Sequence, residues 1–186
     1  MKTLLLISLC TLGLAAAGPA SAAVAVIGDS LGRDCFIHAR DGRTADDAID
    51  ACDTALYSDT LDNRDRAATL VNRGVIRLRR QEHAQALADF DAAIARMPKL
   101  AEAHVDRGAA LVMLDRHAEA IGALDRALAL GPESPQNGLL IRAIARERSG
   151  DIKGAYEDFR LAAELAPKWD RPKRELQRFA VRPVAR

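Results

Sequence analysis

Few residues in this sequence are of a type and spacing that could do chemistry. Cys35 and His38 stand three apart, which on a helix puts a thiol and an imidazole on one face. A nucleophile with its base, or two ligands of a metal ion, would need that arrangement. No further ligand or triad partner can be pointed to. His38, His83, His104 and His117 fall on different predicted helices, and HExxH, GxSxG, P-loop and GxGxxG patterns are all absent. The three cysteines form no CxxC or CxxCH pattern and are too few for a four-thiolate zinc site. The expectation is a protein that is not an enzyme, with no catalytic residues, no cofactor and no metal. A thiol- or metal-dependent enzyme using Cys35 and His38 is the alternative.

The third cysteine, Cys10, lies in a segment that reads as an address. Lys2 precedes the apolar run Thr3 to Leu14, then a Gly18-Pro19 break, then Ala20-Ser21-Ala22 with small residues where a signal peptidase needs them. Cleavage after Ala22 would leave Ala23 first, and Ala23-Val24-Ala25 offers a second site that would leave Val26 first. The run is too short and broken for a transmembrane anchor, which needs about 20 apolar residues. Removing residues 1–22 takes Lys2 alone and leaves acidic and basic residues equal in number. The expected destination is the bacterial periplasm, or secretion, with no stable membrane insertion after cleavage. Export then leaves an even cysteine count, Cys35 and Cys52, in an oxidising compartment. A disulfide between them is the expectation, worth about 3 kcal/mol by loop closure; free, inert thiols are the other structural reading.

Composition narrows the scaffold. The chain has 186 residues, 27 Lys plus Arg against 26 Asp plus Glu, 49% apolar residues and only 4% aromatic ones. Near-neutral charge excludes a general nucleic-acid binder, which carries a basic surplus. So low an aromatic content disfavours sandwiches and barrels, and Ala- and Leu-rich packing favours helices.

Those helices repeat. Asn72-Arg73-Gly74 recurs as Asp106-Arg107-Gly108 and Ile141-Arg142-Ala143, at offsets of 34 and then 35. In register with them stand Ala86, Ala120 and Ala155; Phe90, Leu124 and Phe159; Ala93, Ala127 and Ala162; and Pro98, Pro132 and Pro167. The pattern resembles the tetratricopeptide-repeat (TPR) family, whose period is 34. The resemblance implies an all-α solenoid of helical hairpins that binds proteins or peptides. The physical reading agrees with it. A small residue at Gly74, Gly108 or Ala143 lets paired helices approach, Phe90, Leu124 and Phe159 fill the wedge beside that contact, and each proline ends a second helix. One hairpin cannot bury its apolar face alone, so the copies must stack.

Copies span 67–100, 101–134 and 136–169, where Ser134-Pro135 caps and opens the third. Upstream, 23–63 reads as a degenerate pair, a helix around Gly32 to Arg40 and another over Thr44 to Leu56, with Thr44 and Asp47 as a capping pair. It departs from the pattern, with Phe36 where Gly is expected and Cys52 where a bulky residue is. Downstream, 170–186 reads as a capping helix plus a basic tail carrying Arg171, Lys173, Arg174, Arg178, Arg182 and Arg186. Trp169 and Phe179 should face the last repeat.

Two features bear on partners. Arg73, Arg107 and Arg142 form a ladder that reads as scaffold, each bridging to a neighbouring helix, with anion binding as the alternative. The family's carboxylate-binding version carries Lys and Asn where this chain has Val71, Val75, Val105, Ala109, Leu140 and Ile144, which argues against acidic C-terminal peptides. With Leu78 and Val112, these residues are expected to line a concave apolar groove for a partner helix or extended peptide, one that Val75→Glu would block without unfolding the chain. The reading is an exported TPR interaction adaptor or scaffold whose partner is a protein or peptide and not nucleic acid. A purely structural envelope protein with a groove filled by its own termini is the third possibility.

Overall fold

Alternating runs of small and apolar residues at helical spacing, broken by left-handed turns, fold this chain into successive hairpins. The structure is a computed structural model describing Val24, residues 30–58 and residues 60–179. The expected signal peptide (1–22), Arg182 and Arg186 lie outside the described residues. Within them the helices are α1 (Ser30–Arg40), α2 (Asp46–Tyr57), α3 (Asn63–Arg79), α4 (His83–Arg96), α5 (Ala101–Met113), α6 (His117–Leu130), α7 (Pro135–Arg148), α8 (Ile152–Leu165) and α9 (Asp170–Arg178), with no strand among the described residues. Each helix packs on its neighbours in sequence, and the first helices of successive hairpins, α1, α3, α5 and α7, also touch one another in order. This is a solenoid: every hairpin is covered by the next.

One turn closes all four hairpins. Gly42, Gln81, Asp115 and Gly150 sit at positive φ, between 56° and 86°. In each, the following amide reaches back five residues, as Glu82 N–H to the Arg77 carbonyl and Asp151 N–H to the Arg146 carbonyl, both at 2.9 Å. The turn residue itself bonds three back, Gln81 N–H to Leu78 O at 3.1 Å and Gly150 N–H to Glu147 O at 3.0 Å. Both helix-end carbonyls are thereby satisfied. At the other end of each hairpin Pro98, Pro132 and Pro167 follow α4, α6 and α8 closely, where no further helical amide can be donated.

The hairpins close on the repeat-defining residues. Ala86, Ala93, Ala120, Ala127, Ala155 and Ala162 are wholly buried, as are Phe90, Leu124 and Phe159. A β-carbon on Gly74 would lie 2.5 Å from Phe90 Cε1, and one on Gly108 would lie 2.6 Å from Leu124 Cγ. Glycine is therefore required by approach, not by turn geometry. Copy three uses Ala143 beside Phe159 in the same buried cluster.

The ends differ in detail from expectation. α3 starts at Asn63, ahead of residue 67, because the Asp62 side chain accepts from Asp65 N–H at 2.7 Å and caps it there. α2 is preceded by Ala45 with no side-chain cap, so the Thr44–Asp47 capping pair is not formed; Thr44 stands one residue too early. Ser134 precedes α7 as expected, with Pro135 in the first turn, but its side chain makes no cap bond. At the C-terminal end Trp169, Leu176 and Phe179 pack on Leu140, Ala143, Ala155 and Phe159, with the Phe159 and Phe179 rings 5.7 Å apart. α9 is thus the lid of the last hairpin.

Candidate interaction face

The arginine ladder is structural in all three copies. Arg73 donates to Asp53 of α2 at 2.6 Å, Arg107 to Asp91 of α4 at 2.6 Å, and Arg142 to Asp125 of α6 at 2.5 Å, so each ties its hairpin to the preceding one. Copies one and three add a buried carboxylate from their own second helix. Asp89 accepts from Arg73 at 2.6 Å and Arg77 at 2.8 Å, and Asp158 from Arg142 at 2.7 Å and Arg146 at 2.9 Å. Copy two has Ala123 and Leu111 in those places, both buried. Burial opposes the Arg73 charge, but hydrogen bonds and charge from Asp89 and Asp53 raise its pKa nonetheless. Hydrogen bonding to Asp158 leads the rise at Arg142. Guanidinium groups held this way by carboxylates offer no open anion site.

Cys35 and Cys52 are joined by a disulfide with S–S 2.09 Å and Cα–Cα 4.6 Å, and both are fully buried. Cys52 occupies in its hairpin the place of Phe90, Leu124 and Phe159, and Cys35, not Phe36 as expected, takes the place of Gly74, since each stands seven residues before its left-handed turn residue, so a covalent link stands where the other hairpins have a small residue against a bulky one. With its sulfur in that bond, Cys35 has no thiol for the expected alternative with His38. Among the described residues, no group of three or more His, Cys, Asp or Glu could hold a metal ion.

The apolar stripe is not an open groove. Val71, Val75, Leu78, Val105, Ala109 and Val112 belong to the main core cluster and Leu140 to the C-terminal one, all buried, while Ile144 is half-buried against both. Val71 and Val75 have no exposed surface. The reason is crowding: α1 lies against α3, and α5 against both α3 and α7, so these side chains serve contacts between first helices. Val75→Glu is a core substitution here, not a surface one.

Beside these apolar residues on α3 stands Asn72. It is fully buried, yet its carboxamide is satisfied from outside the hairpins. Val24 N–H donates to Asn72 Oδ1 at 2.8 Å, and Asn72 Nδ2 donates to the Val24 carbonyl at 2.9 Å. The same position holds Asp106 in copy two and Ile141 in copy three. A carboxamide has the donor and acceptor of a peptide group, so Asn72 pairs with one residue's main chain as an adjacent strand would. The signal in the sequence was a lone asparagine within the run Ala67 to Ile76.

Stacked helical hairpins of this kind recur in solved structures. MamA from Desulfovibrio magneticus RS-1 superposes with a TM-score of 0.66 at 17% identity, over 81% of this chain and 84% of that one. The TPR domain of Arabidopsis OM64 gives 0.61 at 23% identity, over 64% of this chain and 98% of that one. A tetratricopeptide repeat protein from Parabacteroides merdae gives 0.64 at 21% identity, over 78% and 55%. The chain has the TPR fold. No family model matches the sequence. No curated protein matches it either. In this TPR solenoid no helix among the described residues is long and apolar enough to cross a membrane.

Proposed function

We propose that this protein is an exported interaction adaptor, working in the bacterial periplasm or beyond it, that docks a partner's polypeptide on the face formed by its first helices. The Asn72 pairing with the Val24 main chain carries this reading, since a buried carboxamide on that face already receives a peptide segment. A side chain that satisfies both the N–H and the C=O of one residue recognises backbone without regard to sequence, and neighbouring side chains then supply selectivity. Export is supported by the Lys2, apolar run and Ala20-Ser21-Ala22 series and by the paired cysteines.

The test is affinity capture from envelope extract with the parent chain, Asn72→Leu, and the outer-helix variant Leu165→Glu, all matched for helicity. A partner retained by the parent and by Leu165→Glu, and depleted with Asn72→Leu, is the expected result. Equal recovery by all three chains would move the site away from the first-helix face.

A further inference from the structure

We propose that the Cys35–Cys52 bond is a redox latch. With the bond made, hairpin α1–α2 stays closed and covers α3. When a dithiol reduces it, that hairpin alone opens and uncovers apolar surface on α3. The latch stands whether or not a partner docks on the first helices.

The first hairpin lacks the contact that closes the others. Phe90, Leu124 and Phe159 are wholly buried, and each meets a small residue of its paired helix. In α1 and α2 the described side chains with no exposed surface are Cys35, Ala39, Ala48, Cys52 and Ala55, none larger than cysteine. Burial stabilises in proportion to apolar area, so such small groups contribute far less than a phenylalanine or a leucine. Ile49 and Leu56 are larger, but they are only partly buried against the core. The covalent bond is what holds the two helices here, with the Cα atoms 4.6 Å apart. Two thiols in its place would set small against small, where each later hairpin sets small against bulky.

The bond also stands at the junction with α3. Cys35 Sγ lies 3.8 Å from the Thr69 carbonyl oxygen, and both residues are buried. Around it α3 reaches to both helices of the pair. Arg79 donates to the Ala39 carbonyl of α1, Arg66 to the Leu56 carbonyl of α2, and Arg73 to Asp53 at 2.6 Å. These ties need α1 and α2 side by side, so they are lost together when the pair opens. The ion pair from Arg80 to Asp46 is no substitute, because Asp46 is exposed and such pairs contribute little. Val71 and Val75 lie on α3, the helix that α1 covers, and have no exposed surface while it does. Opening stops at α3, which stays closed on α4 through Gly74 and Phe90, since solenoid units couple mainly to their neighbours.

Reduction needs no group of the protein beyond the two sulfurs. One thiolate of the dithiol attacks a sulfur of the bond, forming a mixed disulfide and expelling the other cysteine. The second thiolate resolves that intermediate and leaves the reductant as its own disulfide. Two electrons and two protons have then passed from the dithiol to Cys35 and Cys52. Both cysteines are wholly buried, so attack waits on opening of this hairpin and not of the whole chain.

The test uses the chain beginning at Ala23, which keeps every described helix. Dithiothreitol without denaturant should reduce the bond completely. Hydrogen exchange in α1 and α2 should then rise about a hundredfold, the factor that closing a loop over a separation of 17 residues gives. Exchange in α5 to α8 should change by less than about threefold. The apolar-surface dye anilinonaphthalenesulfonate should fluoresce severalfold more strongly with the reduced chain. Cys35→Ala/Cys52→Ala should behave as reduced without any dithiol. Cys35→Gly/Cys52→Leu, which copies the Gly108–Leu124 pair, should stay closed in dithiothreitol and bind no more dye than the oxidised parent. A bond that resists dithiothreitol until the chain is denatured would overturn the latch. So would a reduced chain that keeps α1 and α2 protected, or exchange that rises equally in α7 and α8. A Gly–Leu variant as open as the double-alanine chain overturns it as well. None of these readouts involves a partner, so they can fail while Asn72-dependent capture succeeds, and the reverse.

Discussion

Phe90 lies against the α-carbon of Gly74, its Cε1 only 2.5 Å from where a β-carbon would stand. Gly74→Ala should therefore destabilise the first full hairpin, although alanine is intrinsically the better helix former by about 1 kcal/mol. Overpacking of this kind costs about 1–3 kcal/mol. The thermal midpoint should fall by several degrees, as circular dichroism would show. Adding Phe90→Leu should not restore it, since Gly108 is just as tight against Leu124.

Asp89 carries two guanidinium groups from a buried position, and removing it leaves both without their common partner. Asp89→Ala is expected to cost about 3–5 kcal/mol, the range for breaking a buried pair from one side. Arg107→Met should cost much less, about 1 kcal/mol or under, because the carboxylate it bonds, Asp91, is exposed. Urea denaturation of the two variants beside the parent would test the ordering, and equal losses would contradict it.

The Cys35–Cys52 bond replaces packing in the N-terminal hairpin, so its reduction should act locally. Thiol titration of the denatured, unreduced chain beginning at Ala23, which lacks Cys10, should find neither cysteine free. On reduction, hydrogen exchange should rise in α1 and α2 well before α7 and α8, because solenoid units couple mainly to their neighbours. The loss should be about 3 kcal/mol for a loop of this size.

Gln81 and Asp115 hold the left-handed turn position that Gly42 and Gly150 fill in the other hairpins. A β-carbon there costs about 1–2 kcal/mol. Gln81→Gly is expected to recover part of that and raise the midpoint by a few degrees, measured by the same thermal scans. Gly150→Ala should lower it.

Val75→Glu places a carboxylate at a position with no exposed surface, among Val71, Ile76 and Ala109. The expected outcome is loss of helicity or a strongly lowered midpoint, not a folded protein deficient in binding. A fully folded Val75→Glu chain would mean that this face opens in solution.

How far the sequence reaches is clear from particular residues. Gly74 against Phe90, Gly108 against Leu124 and the prolines after α4, α6 and α8 are local or periodic features. Each recurs at the repeat spacing, so the hairpins and their stacking could be read without coordinates. The pairing of Cys35 with Cys52 was legible for a different reason, as an even count on facing helices. Other properties depend on which surfaces meet. Whether Val71 and Val75 faced a partner or the core turned on how closely α1, α3 and α5 pack, and periodicity is the same in both cases. Asp89 and Asp158 could not be distinguished from surface acids until α3 and α7 brought two arginines to each. Asn72 looked like a polar interruption until Val24, distant in sequence, came within hydrogen-bonding reach. Repeat spacing is written into neighbouring residues and survives in the sequence, whereas burial and pairing across helices belong to the assembled solenoid, because only there do side chains far apart in the chain compete for the same space.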